Sequence, residues 1–294
     1  MGYITQGFKA LYEKTIGSVI RKLKNDEVYS EISMLSLIKQ NLFLYPLGKF
    51  LQQLGLIYLK FSVKISFEGE YAIYQNKEEV IYWPIAYSLQ VPLFILGEIL
   101  PYSSHNYFDL YTPNKEDIIF DIGACEGSFG LRCLQKYNVK KVYFFEPISL
   151  TISALRLTLK KYIGGRAEVH ATAIADVEGE TIFSYDPHHI EASHILRQSA
   201  EGEKVSMTTI DKFVEQHNIK KLNLIKMDIE GSEMSALRGA CVTLQKLRPH
   251  VLVCAYHHPN DYKDLYVFFT QNGYELVKST WGFPPKVCLY SPCR

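Results

Sequence analysis

Phe120-Asp121-Ile122-Gly123-Ala124-Cys125-Glu126-Gly127-Ser128-Phe129-Gly130 is the stretch that decides the fold of this chain. The apolar run Ile118-Ile119-Phe120 leads into it, and a helical pattern follows from about Leu131. The order is strand, glycine-containing turn, helix. In an α/β sheet such a turn is where a nucleotide-like ligand sits, because glycine lets backbone approach it closely. The spacing is not G-x-G-x-x-G, and an acidic residue stands two positions before the first glycine. A carboxylate there repels a pyrophosphate but suits a cationic amino-acid group.

Outward from the turn, the next strand ends at Glu146-Pro147, 25 residues after Asp121. An acidic residue about 20 residues beyond the glycine turn is the usual partner of ribose hydroxyls in nucleotide-binding α/β folds. Two strand-end carboxylates thus form a consistent pair, one for an amino group and one for a ribose. That combination points away from NAD and toward S-adenosylmethionine.

The pattern around the turn is regular. Strands are expected over 117–122, 141–145, 167–173, 180–185, 222–227 and 250–256. Helices are expected over 127–137, 149–162, 209–217, 234–246 and 262–272. Strands alternating with helices mean an α/β fold with a doubly wound, mostly parallel sheet. Two closing strands near 274–279 and 287–290, with no helix between them, imply an antiparallel edge.

Three regions result. Residues 1–60 show apolar positions at helical spacing, such as Ile16, Ile20 and Leu23, and read as a helical extension. This arm would pack on the main domain, on a second subunit in a homo-oligomer, or peripherally on a membrane surface. Residues 61–114 alternate aromatic and polar positions and are cut by Pro84, Pro92 and Pro101, a small cap or lead-in. Residues 115–294 carry the α/β pattern.

Composition narrows the classes. A net charge of +1 gives no electrostatic footprint for nucleic acid. No signal peptide or membrane-length apolar run is visible, and the six cysteines form no Cys-x-x-Cys pair. Reduced thiols and a cytoplasmic location are the expectation, with no metal assigned.

Two more strand ends carry chemistry. Lys226-Met227-Asp228-Ile229-Glu230-Gly231-Ser232-Glu233 places four charged groups within eight residues. Lys226 and Asp228 share one side of the strand, and such charge is expensive to bury unless it faces a cleft or is paired. Capping the following helix with Glu230 or Glu233 is the structural alternative. The next strand ends in Tyr256-His257-His258, and a histidine there can accept a proton near neutral pH. His257 and His258 are therefore candidate bases; with Asp228 and Glu230 they would alternatively make an oxygen–nitrogen metal site. His188 and His189 lie in a long irregular stretch of the kind that forms substrate loops.

Several segments together resemble the FkbM-type family of S-adenosylmethionine-dependent methyltransferases. They are the opening turn, Phe145-Glu146-Pro147, the stretch 173–179, and above all the stretch 224–240. The last carries Lys-x-Asp-x-Glu-Gly-x-Glu followed by Leu-x-Gly-Ala. The likeness covers about residues 115–280. It implies a Rossmann-like class I methyltransferase sheet and methylation of a hydroxyl on a sugar, surface glycan or glycosylated natural product. It also implies that Asp121, Gly123, Ala124, Glu126, Gly127 and Glu146 hold the cofactor, with Ala173 near the adenine. Lys226, Asp228, Glu230 and Glu233 would form a charged floor: Lys226 and Asp228 catalytic, Glu230 and Glu233 toward the acceptor. The competing classes are a non-catalytic scaffold on the same fold and an NAD-dependent oxidoreductase, the latter disfavoured by the glycine spacing.

Overall fold

The computed structural model describes residues 63–76, 79–98, 105–184, 194–196, 202–280 and 284–293. The extension expected over 1–60, and His188 and His189, lie outside the described residues. The first described elements are strands β1 (Lys64–Glu68), β2 (Tyr71–Asn76) and β3 (Glu79–Pro84), an antiparallel sheet in that order. Pro84, expected only to interrupt, ends β3, an edge strand where a missing N–H is tolerated. Helices α1 (Val91–Glu98) and α2 (Tyr107–Leu110) follow. Asn106 caps α2, its Oδ1 accepting from Phe108 N at 3.1 Å.

The main unit opens with β4 (Ile118–Ile122), α3 (Ser128–Lys136), β5 (Lys141–Phe145), α4 (Ser149–Thr158) and β6 (Ala167–His170). A second, four-stranded sheet follows from β7 (Ala173–Ile174), β8 (Gly179–Ser184), β9 (His194–Leu196) and β10 (Glu203–Thr208). The chain then returns through α5 (Ile210–Gln216), β11 (Leu224–Met227), α6 (Glu233–Arg238), α7 (Cys241–Lys246) and β12 (His250–Cys254). It finishes with α8 (Asp261–Gln271), β13 (Tyr274–Ser279) and β14 (Val287–Pro292).

The central sheet has seven strands in the order β13-β14-β12-β11-β4-β5-β6. Its pairs are parallel except the two made by β14. The antiparallel strand expected at this end is present, one place in from the edge. From β4 the chain winds out to β6 and then returns to β11 on the other flank. The β4–β11 seam is therefore the topological switch point, where a doubly wound sheet opens a ligand crevice. Register across the seam sets Lys226 opposite Asp121 and Met227 opposite Ile122.

Alternation along each strand fills both faces. Ile119, Phe144 and Leu252 join one apolar cluster, while Phe120, Phe145 and Val253 join the other. Phe120 and Phe144 are fully buried, and each contributes about 1.5–3 kcal/mol relative to exposure. Helix α3 lies so close to the sheet that a methyl at Gly130 would strike the Phe144 ring. The three-stranded sheet is tied to the same layer. Tyr82 N donates to Thr158 Oγ1 at 3.0 Å, and the Arg132 guanidinium forks onto Glu79 at 2.6 and 2.7 Å.

Two expected elements are split, and strands β9 and β10 are added. The strand expected over 167–173 divides between β6 and β7, which belong to different sheets. The helix expected over 234–246 breaks at Gly239-Ala240. There Gly239 has no room for a side chain beside the Ala175 carbonyl, and Asp211 takes Val242 N and Thr243 N at 2.9 and 2.7 Å. Strand β10 was not legible, because Lys204, Ser206 and Thr208 give it a polar face suited to a loop. Among the described residues no helix is long and apolar enough to cross a membrane. All six cysteines are free thiols, Cys288 and Cys293 included.

Candidate active site

A cavity of about 370 Å³ opens at the switch point, at the carboxyl ends of β4, β5, β11 and β12. The turn after β4 forms its floor. Gly123 N and Ala124 N both donate to Phe145 O at 3.1 Å, and Asp228 N donates to Ile122 O at 3.2 Å. Gly123 has φ of +73°, and a Cβ there would collide with the Asp228 carbonyl oxygen. Only glycine fits, so the first glycine of the motif is dictated by the neighbouring strand.

Glu146 braces this turn from β5. Its Oε2 accepts from Cys125 N at 3.0 Å and its Oε1 from Ile148 N at 3.1 Å. Burial pushes its carboxyl up to about 7, against those two N–H donors. Glu126 is also buried: Oε1 accepts from Ser128 N at 3.1 Å, while Oε2 has no hydrogen-bond partner. Burial raises its pKa as well.

Below the wall runs a charged seam. Lys226 Nζ donates to Gly123 O at 2.9 Å and sits 3.2 Å from Asp121 Oδ1. Burial opposes its charge, but Asp121 and Asp228 outweigh that and hold the ammonium charged. Asp121 is completely buried, and its Oδ2 accepts from Gly130 N at 3.2 Å. It therefore turns inward, to helix α3 and Lys226, and is absent from the cavity lining. The direct cofactor contact expected of Asp121 would need its carboxylate on the cavity wall, where it is not found. Gly127 is likewise behind the wall, at the N-cap of α3.

Asp228 is on the wall. Its Oδ2 accepts from Tyr107 Oη at 2.7 Å, and its Oδ1 has no hydrogen-bond partner. Burial would raise its pKa, yet Lys226, His257 and the Tyr107 hydroxyl hold it below the usual carboxylate range. Glu230 lines the cavity too, with burial pushing its pKa up.

His257 departs from the expected base. Its Nε2 lies 3.2 Å from Glu230 Oε2 and 3.5 Å from Asp228 Oδ1, and its Nδ1 lies 3.1 Å from Glu233 Oε1. Burial works against its charge, but contacts with Glu230 and Glu233 raise it to about 10. An imidazolium at neutral pH has no lone pair to take a proton, so His257 is a buried cation among three acids. His258 is exposed, its Nε2 within 3.2 Å of Gly231 O, and it is not among the lining residues. Glu233 lies beneath the wall, accepting from Ile229 N at 2.9 Å. Asp228, Glu233 and His257 place ligand atoms within 4.8 Å of one another, the spacing of a small cation site. The charged imidazole already supplies positive charge at that place.

The lining includes residues that carried no motif: His105, Tyr107, Tyr256 and Lys286. His105 and Tyr107 come from the segment before β4, and Lys286 from the start of β14. Of the expected positions, Gly123, Ala124, Glu126, Glu146, Ala173, Lys226, Asp228 and Glu230 meet around one cavity. This set suits a ligand with a cationic amino-acid end and a ribose. It offers buried carboxylates, one oxygen of Glu126 without a donor, and no free phosphate-binding loop of the G-x-G-x-x-G kind.

Residues 121–276 match the Methyltransferase FkbM domain family, just over half of the chain. Over 153 residues the chain is 28% identical to the hexuronic acid methyltransferase AglP of Haloferax volcanii, covering 51% of this chain and 60% of that protein. Over 252 residues it is 23% identical to Methyltransferase 1 of Beauveria bassiana, covering 77% and 95%. The methyltransferase FkbM structure from Methylobacillus flagellatus KT superposes with a TM-score of 0.48 at 24% identity, covering 64% of this chain and 47% of that one. The chain thus spans less than two thirds of the archaeal relative and about half of the bacterial structure. With the intact motif, the switch-point cavity and the family match in agreement, the chain belongs to the FkbM methyltransferase family, whose cofactor is S-adenosylmethionine.

Proposed function

We propose that the protein transfers a methyl group from S-adenosylmethionine to a hydroxyl of a sugar or glycan. The observation that carries this reading is the Asp228 carboxylate on the cavity wall, held by Tyr107 Oη at 2.7 Å on Oδ2 and by His257 Nε2 at 3.5 Å on Oδ1. An acceptor hydroxyl can donate to it. The similarity to AglP, named for hexuronic acid, supports a sugar-type acceptor.

S-adenosylmethionine supplies a methyl group carried on a positively charged sulfur. In this reading Glu146 accepts the ribose hydroxyls, and Gly123, Ala124 and Glu126 face the methionine end. Ala173 and Ile174 line the adenine side, while Asp121 and Gly127 hold the turn from behind. Asp228 first orients the acceptor hydroxyl and then takes its proton. An alcohol oxygen becomes strongly acidic only as it is alkylated, so a carboxylate of low basicity suffices late in the step. Alignment supplies the larger part, roughly 7–11 kcal/mol for well-held reactants, and a positioned base adds about 10²–10⁴-fold. Tyr107 and His257 keep Asp228 ionised and pointed.

The test is turnover with a panel of glycosides, read as S-adenosylhomocysteine formed and as a new methyl ether by NMR. Asp228→Asn should keep cofactor binding and lose about 10²-fold or more in kcat. Cofactor binding with no transfer to any glycan would overturn the reading in favour of a scaffold role.

A further inference from the structure

The cavity wall is electrically lopsided. On the β11 side it presents Asp228 and Glu230; on the β14 side it presents Lys286. Two ammonium groups reach the lining. That of Lys226 is consumed by Asp121 and the Gly123 carbonyl. Lys286 is half-buried and, among the described residues, lies within ion-pair distance of no carboxylate. Its Nζ stands 5.4 Å from the centroid of the Tyr256 ring, and Tyr256 in turn meets His105 edge-on at 5.1 Å.

These three side chains make a continuous patch beside Asp228. His105 is buried, lines the same cavity, and lies within electrostatic reach of both Lys286 and Asp228. Burial, then the Lys286 charge, lower its pKa to about 4. At neutral pH its imidazole is uncharged, and the positive charge of this patch rests on Lys286. Tyr256 offers a partly exposed aromatic face between the two polar groups. A half-buried ammonium over an aromatic ring, lining a crevice and with no carboxylate beside it among the described residues, suits an anion.

We propose that Lys286, with Tyr256 and His105, forms a subsite for a carboxylate on the acceptor, so that the methylated hydroxyl belongs to a sugar acid. The proposal rests on the sugar-hydroxyl reading of the same site. It adds a direction to it. A ligand placing its carboxylate at Lys286 and its hydroxyl at Asp228 satisfies both ends of the wall, whereas the reversed pose sets its carboxylate against Asp228 and Glu230. A neutral hexose lacks this handle.

The experiment compares methyl β-D-glucuronide with methyl β-D-glucoside, for the wild type, Lys286→Met and Lys286→Arg. Turnover is read as S-adenosylhomocysteine formed, and binding by calorimetry on the protein loaded with S-adenosylhomocysteine. The wild type should bind and use the glucuronide in preference. Lys286→Met should weaken glucuronide binding and kcat/KM about tenfold or more, mainly through KM, and by far more than it changes the glucoside. Lys286→Arg should recover most of the loss. Equal effects on both sugars, or none, would overturn the subsite while leaving glycan methylation standing. Glucuronide binding that depends on Lys286 without turnover would support the subsite and overturn the assigned hydroxyl chemistry. Absence of glucuronide binding to the wild type would overturn the subsite outright.

Discussion

Tyr107 and Asp228 stand 121 residues apart in the chain and share a 2.7 Å hydrogen bond across the cavity wall. The short helix before the main sheet thus fixes one oxygen of the strand-end carboxylate, while His257 stands 3.5 Å from the other. Tyr107→Phe removes the hydroxyl and keeps the ring packed on Phe129. Turnover should fall about tenfold, the loss of one charge-assisted hydrogen bond, with cofactor affinity nearly unchanged in calorimetry. A melting temperature within a few degrees of wild type separates this effect from misfolding.

Gly123 is held between its own turn and the Asp228 carbonyl. Gly123→Ala should force the β4–β11 seam apart and place alanine at positive φ. A loss on the order of 1–3 kcal/mol in chemical unfolding is expected, together with loss of cofactor binding. Wild-type affinity in that variant would show that the turn is not the cofactor cradle.

Lys226 balances a completely buried carboxylate. Lys226→Met strands Asp121 without its cation and should destabilise by about 3–5 kcal/mol, by denaturant titration. Adding Asp121→Asn should restore a large part of that loss, because the penalty is the unpaired charge rather than the missing ammonium.

Glu146 gives the site a pH dependence. Its carboxyl is raised in the folded protein to about 7, from an ordinary value near 4.5. The sign follows: its contribution to stability is present below about 4.5 and is lost as pH rises through 7. Binding runs the other way, since the ionised form is the better acceptor for ribose hydroxyls. The cofactor dissociation constant should rise about tenfold from pH 8 to pH 6, as the competent fraction falls. Glu146→Gln should flatten that profile.

His257 carries the alkaline limb. Held at about 10 by Glu230, Glu233 and Asp228, it stabilises fully below about 6.5, and that stability is lost as pH rises through 10. Thermal unfolding of the wild type should show a decline from about pH 8 to 10.5 that His257→Gln lacks. Treatment with a strong chelator should leave turnover unchanged, because the imidazolium already sits among the acids.

Much of this site was legible because it is written locally. The glycine turn, the interval from Asp121 to Glu146, and the run from Lys226 to Glu233 each encode strand ends by spacing alone. What spacing does not encode is direction and charge. Asp121 looked like a ligand contact, yet the N-terminal turn of α3 and Lys226 draw it inward. His257 looked like a base, but its charge state is set by Glu230 and Glu233, acids from the end of another strand that only the fold brings against it. Lys286 and His105 had no motif, since both reach the cavity through elements packed from outside the β4–β12 core. Strand β10 was lost for the opposite reason: its pairing with β8 and β7 is real, but only Val205 and Met207 along it are apolar.

The placement of β14 carries a consequence for how the protein comes together. It is made after β13, yet it fits between β13 and β12, so until it arrives both neighbours present raw hydrogen-bonding edges. Its pairing with β13 is a local hairpin, whereas its pairing with β12 spans the whole of α8 and β13 and is the more non-local of the two. Without β14, the edge of β12 is a template for a strand from another molecule. Lys286 stands just before β14, so the strand that joins β13 to the sheet also completes the wall of the cavity.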